Sequence, residues 1–279
     1  MNLEFFKEYG IFAKKSLGQN FLIDDNVLNT IASSLNISGN NILEIGPGYG
    51  ALTEKILLQH PKSLHLVELD KDMIEIINKR LEKGELKIDG IDFQIFNEDI
   101  LKFKERFNNY LVIANIPYYI TSPILYKFLY EIGNKPDNML ILMQKDVGDK
   151  ILAGQSTALD KKNNKQKSSV LSLFISKKAF VKEIIRVPAK SFIPAPKVES
   201  SVLLFELHNN YRDINDDKFI EFIKIGFKEP RKKLVNNLVK GGYEKEKILK
   251  IFNELGFRED VRGEDLSIDN WIKLLLKVI

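Results

Sequence analysis

Residues 41–50 read Asn41-Ile42-Leu43-Glu44-Ile45-Gly46-Pro47-Gly48-Tyr49-Gly50, and they give the clearest indication of the fold class of this chain. Its first half is a short apolar run that predicts a buried β-strand, and its second half is a cluster of glycines. A helical pattern follows over Ala51–Gln59. Glycines between a strand and a helix let the backbone turn sharply and approach a ligand closely. The stretch therefore predicts a ligand-binding loop at the edge of an α/β sheet.

Strand-like and helix-like segments alternate around this loop through the first two-thirds of the chain. The further predicted strands are Leu64–Leu69, Phe93–Phe96, Leu111–Ile116 and Met139–Met143, and the further predicted helices are Asp24–Leu35, Asp72–Glu82 and Pro123–Ile132. Phe180–Val187 and Ser201–Leu207 alternate apolar and polar residues, so we expect them to complete the sheet as a hairpin. Strands that alternate with helices predict a mostly parallel, doubly wound α/β sheet of the Rossmann-like kind.

The pattern changes near residues 208–217, beyond which only helical patterns occur. These helices are expected over Lys218–Phe227, Arg231–Val239, Glu244–Leu255 and Ser267–Val278. We therefore predict an α/β domain over residues 1–208 and a small α-helical domain over residues 209–279. Residues 158–167 form a low-complexity stretch, rich in lysine from residue 161, that we expect to be a loop.

Composition excludes several classes of protein. The 279 residues are 44% hydrophobic and 29% charged, values that are typical of a globular protein with a buried core. The absence of cysteine excludes disulfides, thiolate metal sites and cysteine nucleophiles, and the three histidines are too scattered to predict a metal site. No apolar run is long enough to span a bilayer, and the first 16 residues lack the apolar core of a signal peptide. A cytoplasmic protein without a membrane partner is expected.

Positive charge is concentrated in two blocks, although the net charge of the chain is only +4. Residues 161–191 carry a net charge of +8 and residues 224–250 a net charge of +6, which leaves −10 on the remainder. Such blocks attract polyanions, because contacts with phosphates release condensed counterions. The blocks favour a nucleic-acid partner, and a solvated lysine-rich surface is the alternative.

The loop predicts a particular cofactor. Gly46 and Gly48 begin a Gly-x-Gly-x-Gly spacing, which differs from the Gly-x-Gly-x-x-Gly of dinucleotide enzymes. Glu68 is expected near the end of the second strand, where a carboxylate can accept both hydroxyls of a ribose, and Asp70 and Asp72 are close alternatives. Asp99 follows the third strand, where an acceptor can bind an adenine amino group. In this order the residues predict an S-adenosylmethionine site in preference to a nicotinamide dinucleotide site.

A second constellation, Asn115-Ile116-Pro117-Tyr118, ends the fourth strand, at the edge where ligands bind in open α/β sheets. Asparagine and proline also form simple turns, which is the structural alternative. The functional interpretation uses every group: Asn115 and the Ile116 carbonyl accept hydrogen bonds from an exocyclic amine, Pro117 fixes the chain, and Tyr118 stacks on a base. Such a site can hold the N6 lone pair of an adenine towards a methyl group.

With these motifs in place, the chain closely resembles the ribosomal RNA adenine N6,N6-dimethyltransferases, which modify two adjacent adenosines near the 3′ end of small-subunit (16S) rRNA. The matching segments cover nearly the whole chain and are Lys15–Leu22, Glu44–Gly50, Val67–Asp70, Glu98-Asp99, Asn115–Tyr118, Gln144-Lys145, Ser191–Ser200 and Arg231–Leu238. The resemblance implies a class I methyltransferase fold, S-adenosylmethionine as cofactor and 16S rRNA of the assembling small subunit as partner. A monomer is expected.

The resemblance also implies roles for individual residues. The expected cofactor contacts are Asn20, Leu22, Gly46, Glu68, Asp99 and Asn115, together with Gly48 of the same loop. Phe192 is expected to face the target adenine opposite Tyr118, so that the two rings enclose the base. The expected catalytic group is therefore Asn115, Ile116, Pro117, Tyr118 and Phe192.

The sequence departs from the family pattern at two places, and three alternative functions are compatible with parts of it. Ser168-Ser169 stands where many members have Tyr-Gly, and Tyr119 stands where many carry Asn.

The related large-subunit rRNA methyltransferases that give macrolide resistance would share the same cofactor and base sites. A non-catalytic RNA-binding or assembly factor would retain only the fold, and a nicotinamide-dependent dehydrogenase is the most distant alternative.

Overall fold

The structure is a computed structural model, and it describes residues 3–104, 108–155 and 167–278. Its contacts divide the chain into two compact units, Met1–Gly148 with Lys182–Leu207, and Asp149–Val181 with His208–Ile279. Residues 149–181 thus group with the C-terminal residues, and the domains predicted over residues 1–208 and 209–279 stay a prediction. Among the described residues, no helix combines the length and the apolar character needed to cross a membrane.

The described strands and helices follow the predicted alternation. The strands are β1 (Phe21–Leu22), β2 (Asn41–Ile45), β3 (Ser63–Val67), β4 (Asp92–Phe96), β5 (Tyr110–Asn115), β6 (Asn138–Gln144), β7 (Ala179–Val187), β8 (Phe192–Ile193) and β9 (Ser200–Leu207). The α-helices are α1 (Leu3–Tyr9), α2 (Asp25–Ser33), α3 (Ala51–Leu57), α4 (Lys71–Glu82), α5 (Thr121–Tyr126), α6 (Lys145–Ala153), α7 (Val170–Ser176), α8 (Asp216–Gly226), α9 (Leu234–Lys240), α10 (Lys245–Glu254) and α11 (Ile268–Val278).

A seven-stranded sheet with the order β4-β3-β2-β5-β6-β9-β7 organises the first unit. Strands β2 to β6 are parallel, and β9 joins β6 in the antiparallel direction. Because Ile45 pairs with both Val67 and Ala114, the carboxyl ends of β2, β3 and β5 lie at one edge of the sheet. The loops that follow these strands therefore meet at that edge, which is where the sequence predicts the ligand.

The chain leaves the predicted hairpin between β7 and β9 to form a second, two-stranded sheet. Strands β7 and β9 are neighbours as predicted, but β8 pairs in the antiparallel direction with β1, so that Leu22 lies opposite Phe192. The sequence gives little sign of this ribbon, because two-residue strands are too short to show a period. Helices α1, α6 and α7 were also not predicted, and residues 161–166 of the lysine-rich stretch lie outside the described residues.

Helices α8 to α11 of the second unit pack around Trp271, and all four agree with the predicted helices to within a few residues. The Trp271 indole is fully buried, donates to the Gly263 carbonyl at 3.1 Å and packs edge-on against Phe222. Gly226 ends α8 against this ring, and a Cβ atom there would lie 2.2 Å from Trp271 Cη2. Glycine is therefore required for close packing of α8 against α11.

We predict that Gly226→Ala destabilises the protein. The added methyl group must displace Trp271, and overpacking of this kind costs about 1–3 kcal/mol, more than the ~1 kcal/mol by which alanine favours a helix. Urea denaturation followed by the fluorescence of Trp271, the single tryptophan, measures the effect. Gly133→Ala is the matched control, because no atom lies within 4 Å of its added Cβ. Equal stability of both variants and the wild type would contradict this packing.

Candidate active site

A cavity of about 310 Å³ opens in the first unit at the carboxyl edge of the sheet. All the residues assigned to the cofactor or the target base from the sequence line it, namely Asn20, Leu22, Gly46, Gly48, Glu68, Asp99, Asn115, Ile116, Pro117, Tyr118 and Phe192. The fold thus gathers, from six separate parts of the chain, residues that are up to 172 positions apart. Their roles towards a ligand remain predictions.

The glycine loop brings two parts of the site into contact. Gly46 has a φ of +68°, and its N–H donates to the Val67 carbonyl at 3.0 Å. A Cβ atom on Gly46 would lie 3.0 Å from the carbonyl oxygen of Asn115. Both the left-handed backbone and this close approach require glycine. The loop after β2 and the end of β5 are therefore adjacent walls of the same cavity.

Glu68 lies beneath the glycine loop with only 8% of its surface exposed. One carboxylate oxygen, Oε2, accepts from the Gly48 N–H at 3.1 Å, and the other, Oε1, accepts from the Asp70 N–H at 2.8 Å. Burial raises the pKa of Glu68, although the backbone N–H donors oppose this shift. Each carboxylate oxygen has further lone pairs, so Glu68 can bind the loop and a ligand hydroxyl together.

Asp70, one alternative to Glu68, has a different role. Its carboxylate accepts from the Asp72 N–H at the start of α4, and it binds Lys14 Nζ at 2.6 Å and Gln19 Nε2 at 2.7 Å. Asp70 does not line the cavity. It instead anchors the N-terminal segment that contributes residues 17–22 to the cavity wall. The sequence does not distinguish the two acids, because both lie at the end of one strand.

Asn20 and Asp99 each stabilise a local turn. The Asn20 amide donates to the Gly18 carbonyl at 3.2 Å. Asp99 Oδ1 accepts from the Leu101 N–H at 2.9 Å. This turn is held from the other side by the buried Lys127, whose ammonium donates to the Phe103 carbonyl at 2.7 Å. Both side chains are thus placed at the cavity by their own backbone turns, as short polar residues often are.

The predicted base site combines one available amide with two fixed rings. Within the described residues, no protein group is hydrogen-bonded to the side chain of Asn115, which is half-buried at the end of β5. The Tyr118 hydroxyl lies 2.7 Å from Ser200 Oγ, and burial raises the pKa of that phenol. Phe192 is buried in β8. The amide can therefore bind a ligand without first losing a protein partner.

Glu44, two residues before the loop, is buried and does not have the backbone donors that Glu68 has. Thr53 Oγ1 donates to Glu44 Oε2 at 2.8 Å. Burial raises the pKa of Glu44 to about 8; the Thr53 bond opposes this shift, and the nearby Glu68 charge adds to it. Glu44 is therefore largely protonated at neutral pH.

The two departures from the family pattern have different structural settings. Ser169 caps α7 by accepting from the Ser172 N–H at 3.1 Å, and the Ser168 hydroxyl donates to the Leu266 carbonyl at 2.9 Å. The serine pair is thus explained as a helix start. Tyr119 lines the cavity with 63% of its surface exposed, and its ring lies close to Gly18. Nothing in the structure explains why tyrosine occupies this position.

Sequence comparison gives the same result along nearly the whole chain. A family model described as ribosomal RNA adenine dimethylase matches residues 11–278. A protein named ribosomal RNA small subunit methyltransferase A from Mycoplasma mobile is 38% identical over 257 residues, which cover 92% of this chain and 94% of that protein. The protein of the same name from Fusobacterium nucleatum is 37% identical over 272 residues, which cover 94% and 96%.

Structural comparison extends to more distant proteins. A dimethyladenosine transferase from Plasmodium falciparum has a TM-score of 0.75 at 23% identity, covering 92% of this chain and 96% of that one. The 23S rRNA methyltransferase ErmE has a TM-score of 0.71 at 18% identity, covering 93% and 99%. Identities this low show the fold alone, and the predicted class I methyltransferase fold is confirmed.

We predict that Glu44→Gln changes the pH dependence of stability. The pKa of Glu44 rises on folding from 4.5 to about 8, so its proton contributes stability that is complete below pH 4.5 and is lost as the pH rises towards 8. The glutamine variant cannot titrate, and it should gain stability relative to wild type between about pH 5 and about pH 9. Urea denaturation at both pH values measures this gain.

Glu75→Gln, which replaces an exposed glutamate on α4, is the matched control and should show no such gain. If the difference in unfolding free energy between Glu44→Gln and the wild type is the same at both pH values, Glu44 is not protonated in the native protein.

Proposed function

This chain belongs to the ribosomal RNA adenine dimethylase family, and we propose that it dimethylates N6 of two adjacent adenosines in the 3′-terminal hairpin of 16S rRNA, with S-adenosylmethionine as methyl donor. One observation carries the proposal: the glycine loop and the Asn115 strand end touch and line a single cavity. Methyl transfer requires that donor and acceptor lie within contact distance. The names of the relatives, ribosomal RNA small subunit methyltransferase A, favour this substrate over large-subunit rRNA.

The cavity residues fit S-adenosylmethionine. When bound, this cofactor supplies a methyl group activated by a sulfonium. The Glu68 carboxylate retains lone pairs for two ribose hydroxyls, and the Asp99 turn can present an acceptor to the adenine amine. Because Gly46 and Gly48 have no side chains, the loop backbone can approach the ligand closely. Asn20 and Leu22 line the same cavity and complete the proposed cofactor contacts.

The proposed catalytic residues bind and orient the target adenine. The Asn115 side-chain oxygen and the Ile116 carbonyl accept from the two hydrogens of N6, which favours a tetrahedral nitrogen whose lone pair faces the methyl group. Tyr118 and Phe192 enclose the ring, and Pro117 fixes the turn between the amide and the tyrosine. Transfer would break the bond between the methyl group and the sulfonium, leaving a neutral thioether and a cationic nitrogen, and the nitrogen would then lose its proton to water. The reaction therefore requires no strong base among the cavity residues.

Free cations on the second unit fit an RNA partner. Arg231, Lys232 and Lys233 are exposed before α9, and within the described residues no acid pairs with any of them. We propose that these side chains bind rRNA phosphates, that the substrate is the assembling small subunit in the cytoplasm, and that the enzyme acts as a monomer.

Methyl transfer from labelled cofactor to under-methylated small subunits tests the function. We expect label in N6,N6-dimethyladenosine at two adjacent positions of 16S rRNA, identified by nucleoside analysis and primer extension. Asn115→Ala should lower single-turnover rates roughly 10²-fold, as loss of an oriented hydrogen bond at a reacting centre does. Its affinity for the subunit should not change.

Two results would contradict the proposed activity, and a third would contradict only the role of Asn115. Label in 23S rRNA when large subunits are offered in a parallel reaction, with none in 16S rRNA, would indicate the large-subunit activity instead. Subunit binding without any label would indicate an assembly factor. A wild-type rate in Asn115→Ala would remove this residue from the reaction while leaving the activity in place.

We predict that the triple variant Arg231→Ala, Lys232→Ala, Lys233→Ala binds subunits more weakly and with a smaller salt dependence. Each lost phosphate contact lowers the slope of log K against log salt by about one, so the slope should fall by about 2–3. Cofactor affinity should not change, because the cavity lies in the first unit. Filter binding at several salt concentrations measures the slope.

A second triple variant, Lys62→Ala, Lys79→Ala, Lys87→Ala, removes the same charge from exposed positions of the first unit and is the matched control. Thermal melting shows first that both variants are folded. If both lower the slope equally, net charge and not the segment before α9 governs binding. If the first variant keeps the wild-type slope, the lysine-rich stretch over residues 161–167 becomes the better candidate for the main phosphate contact.

A further inference from the structure

Arg80 is a buried cation on the apolar face of α4. It follows Met73, Ile76 and Ile77 at helical spacing, and only 2% of its side chain is exposed. A buried charge is costly unless hydrogen bonds and opposite charges compensate it. The side chain does not line the cavity. The partners of its guanidinium therefore indicate what it does.

The guanidinium of Arg80 holds the glycine loop from the side that faces away from the cavity. Its Nη1 donates to the carbonyls of Tyr49 at 3.0 Å and Gly50 at 2.9 Å. Its Nη2 binds Glu54 of α3 at 2.7 Å, and its Nε binds Glu85 at 3.0 Å. One rigid fork thus joins two backbone carbonyls to two carboxylates.

These bonds fix the orientation of the loop backbone. The C=O and N–H groups of a trans peptide lie in one plane and point in opposite directions. Holding the carbonyls of Tyr49 and Gly50 therefore fixes the planes of the Tyr49–Gly50 and Gly50–Ala51 peptides. Gly50 has a φ of +84°, and a Cβ atom there would lie 3.3 Å from Arg80 Nη1. Tyr49 and Ala51 line the cavity. The Gly50 N–H donates to the Pro47 carbonyl at 3.0 Å, so this bond and those of Arg80 together fix the backbone of the loop from Pro47 to Ala51.

Helix α1 holds the guanidinium in turn. The Phe5 ring centroid lies 5.3 Å from Arg80 Cζ, a distance that allows a cation–π contact. The Tyr9 hydroxyl donates to Glu85, the carboxylate that also binds Arg80. The N-terminal helix and the glycine loop thus share Arg80 as a common contact.

We propose that Arg80 is a positioning residue for the cofactor, which holds the glycine loop in its ligand-binding conformation without touching the ligand. The inference rests on the proposed function, because it takes S-adenosylmethionine as the ligand. The competing explanation is a structural ion pair among Arg80, Glu54 and Glu85. The substitution Arg80→Lys distinguishes the two explanations. Lysine keeps the positive charge beside both glutamates, but it lacks the planar guanidinium that also donates to the two carbonyls.

The experiment is calorimetric titration of S-adenosylmethionine into wild type, Arg80→Lys and Arg80→Met, with steady-state kinetics on under-methylated small subunits. For Arg80→Lys we expect Kd and KM for the cofactor to rise roughly tenfold, the value of one hydrogen bond to a charged group. Arg80→Met should show a larger rise. For Arg80→Lys, kcat and KM for the subunit should stay within about twofold of wild type, because Arg80 contacts neither the base site nor the RNA.

Met139→Ala is the matched control for a loss of stability. Met139 is buried at the amino end of β6, away from the cavity edge, so this variant should lose stability while retaining the wild-type Kd. Glu54→Gln provides a second route if the Arg80 variants do not fold. It leaves the carbonyl bonds but weakens the orientation of Nη2, so the Kd should rise by a smaller factor.

The possible results distinguish a failure of the role proposed for Arg80 from a failure of the proposed methyltransferase function. If wild type does not bind the cofactor, the proposed function fails. If wild type binds and Arg80→Lys binds equally well, Arg80 is only a structural ion pair and the inference is wrong. An equal rise in Kd for Met139→Ala would overturn it too, because general loss of stability would then explain the effect. An unchanged Kd in Glu54→Gln, where the Arg80 variants do not fold, would also count against it.

Discussion

The parallel pairing of β2 with β3 on one side and with β5 on the other determines where every residue of the candidate site can lie. This register places the ends of the three strands together, so Gly46 lies against the carbonyl of Asn115. A side chain at Gly46 would separate the proposed cofactor site from the proposed base site. Methyl transfer depends on the alignment of donor and acceptor, and this backbone contact sets how close the two proposed sites can lie.

The sequence predicted the strands and helices whose apolar residues form a clear pattern along the chain. It did not predict short elements, or elements whose partners are distant in sequence. The predicted strand Asn41–Ile45 has the same bounds as β2, because it is buried on both faces and ends at glycines. The ribbon of β1 and β8 was not predicted, since its pairing joins residues that are far apart in sequence. Helix α1 was missed as well, and its aromatic residues find their partners, Tyr49 and Arg80, only in the folded chain.

Residue types at strand ends predicted which residues would meet, but not which contacts each would make. Glu68 and Asp70 are equivalent in the sequence, yet Asp70 is engaged by Lys14 and Gln19 and only Glu68 lines the cavity. Most of the site itself was predicted from the residues and the family resemblance, whereas its supporting contacts were not. Arg80 did leave a signal, since it follows Met73, Ile76 and Ile77 in the spacing of a buried helical face. A cation in such a stripe predicts a buried hydrogen-bond network.

Hydrogen bonds hold both the N–H groups and the carbonyl groups of the glycine loop. Glu68 accepts from the Gly48 N–H, and Arg80 donates to the carbonyls of Tyr49 and Gly50. A glycine-rich loop is flexible by itself, and a ligand that had to order it would bind more weakly by the entropy of ordering. Burying Arg80, Glu68 and Glu44 near one loop costs folding stability. These contacts order the loop when the protein folds. The conformational entropy of ordering the loop therefore lowers the stability of the fold and does not weaken ligand binding.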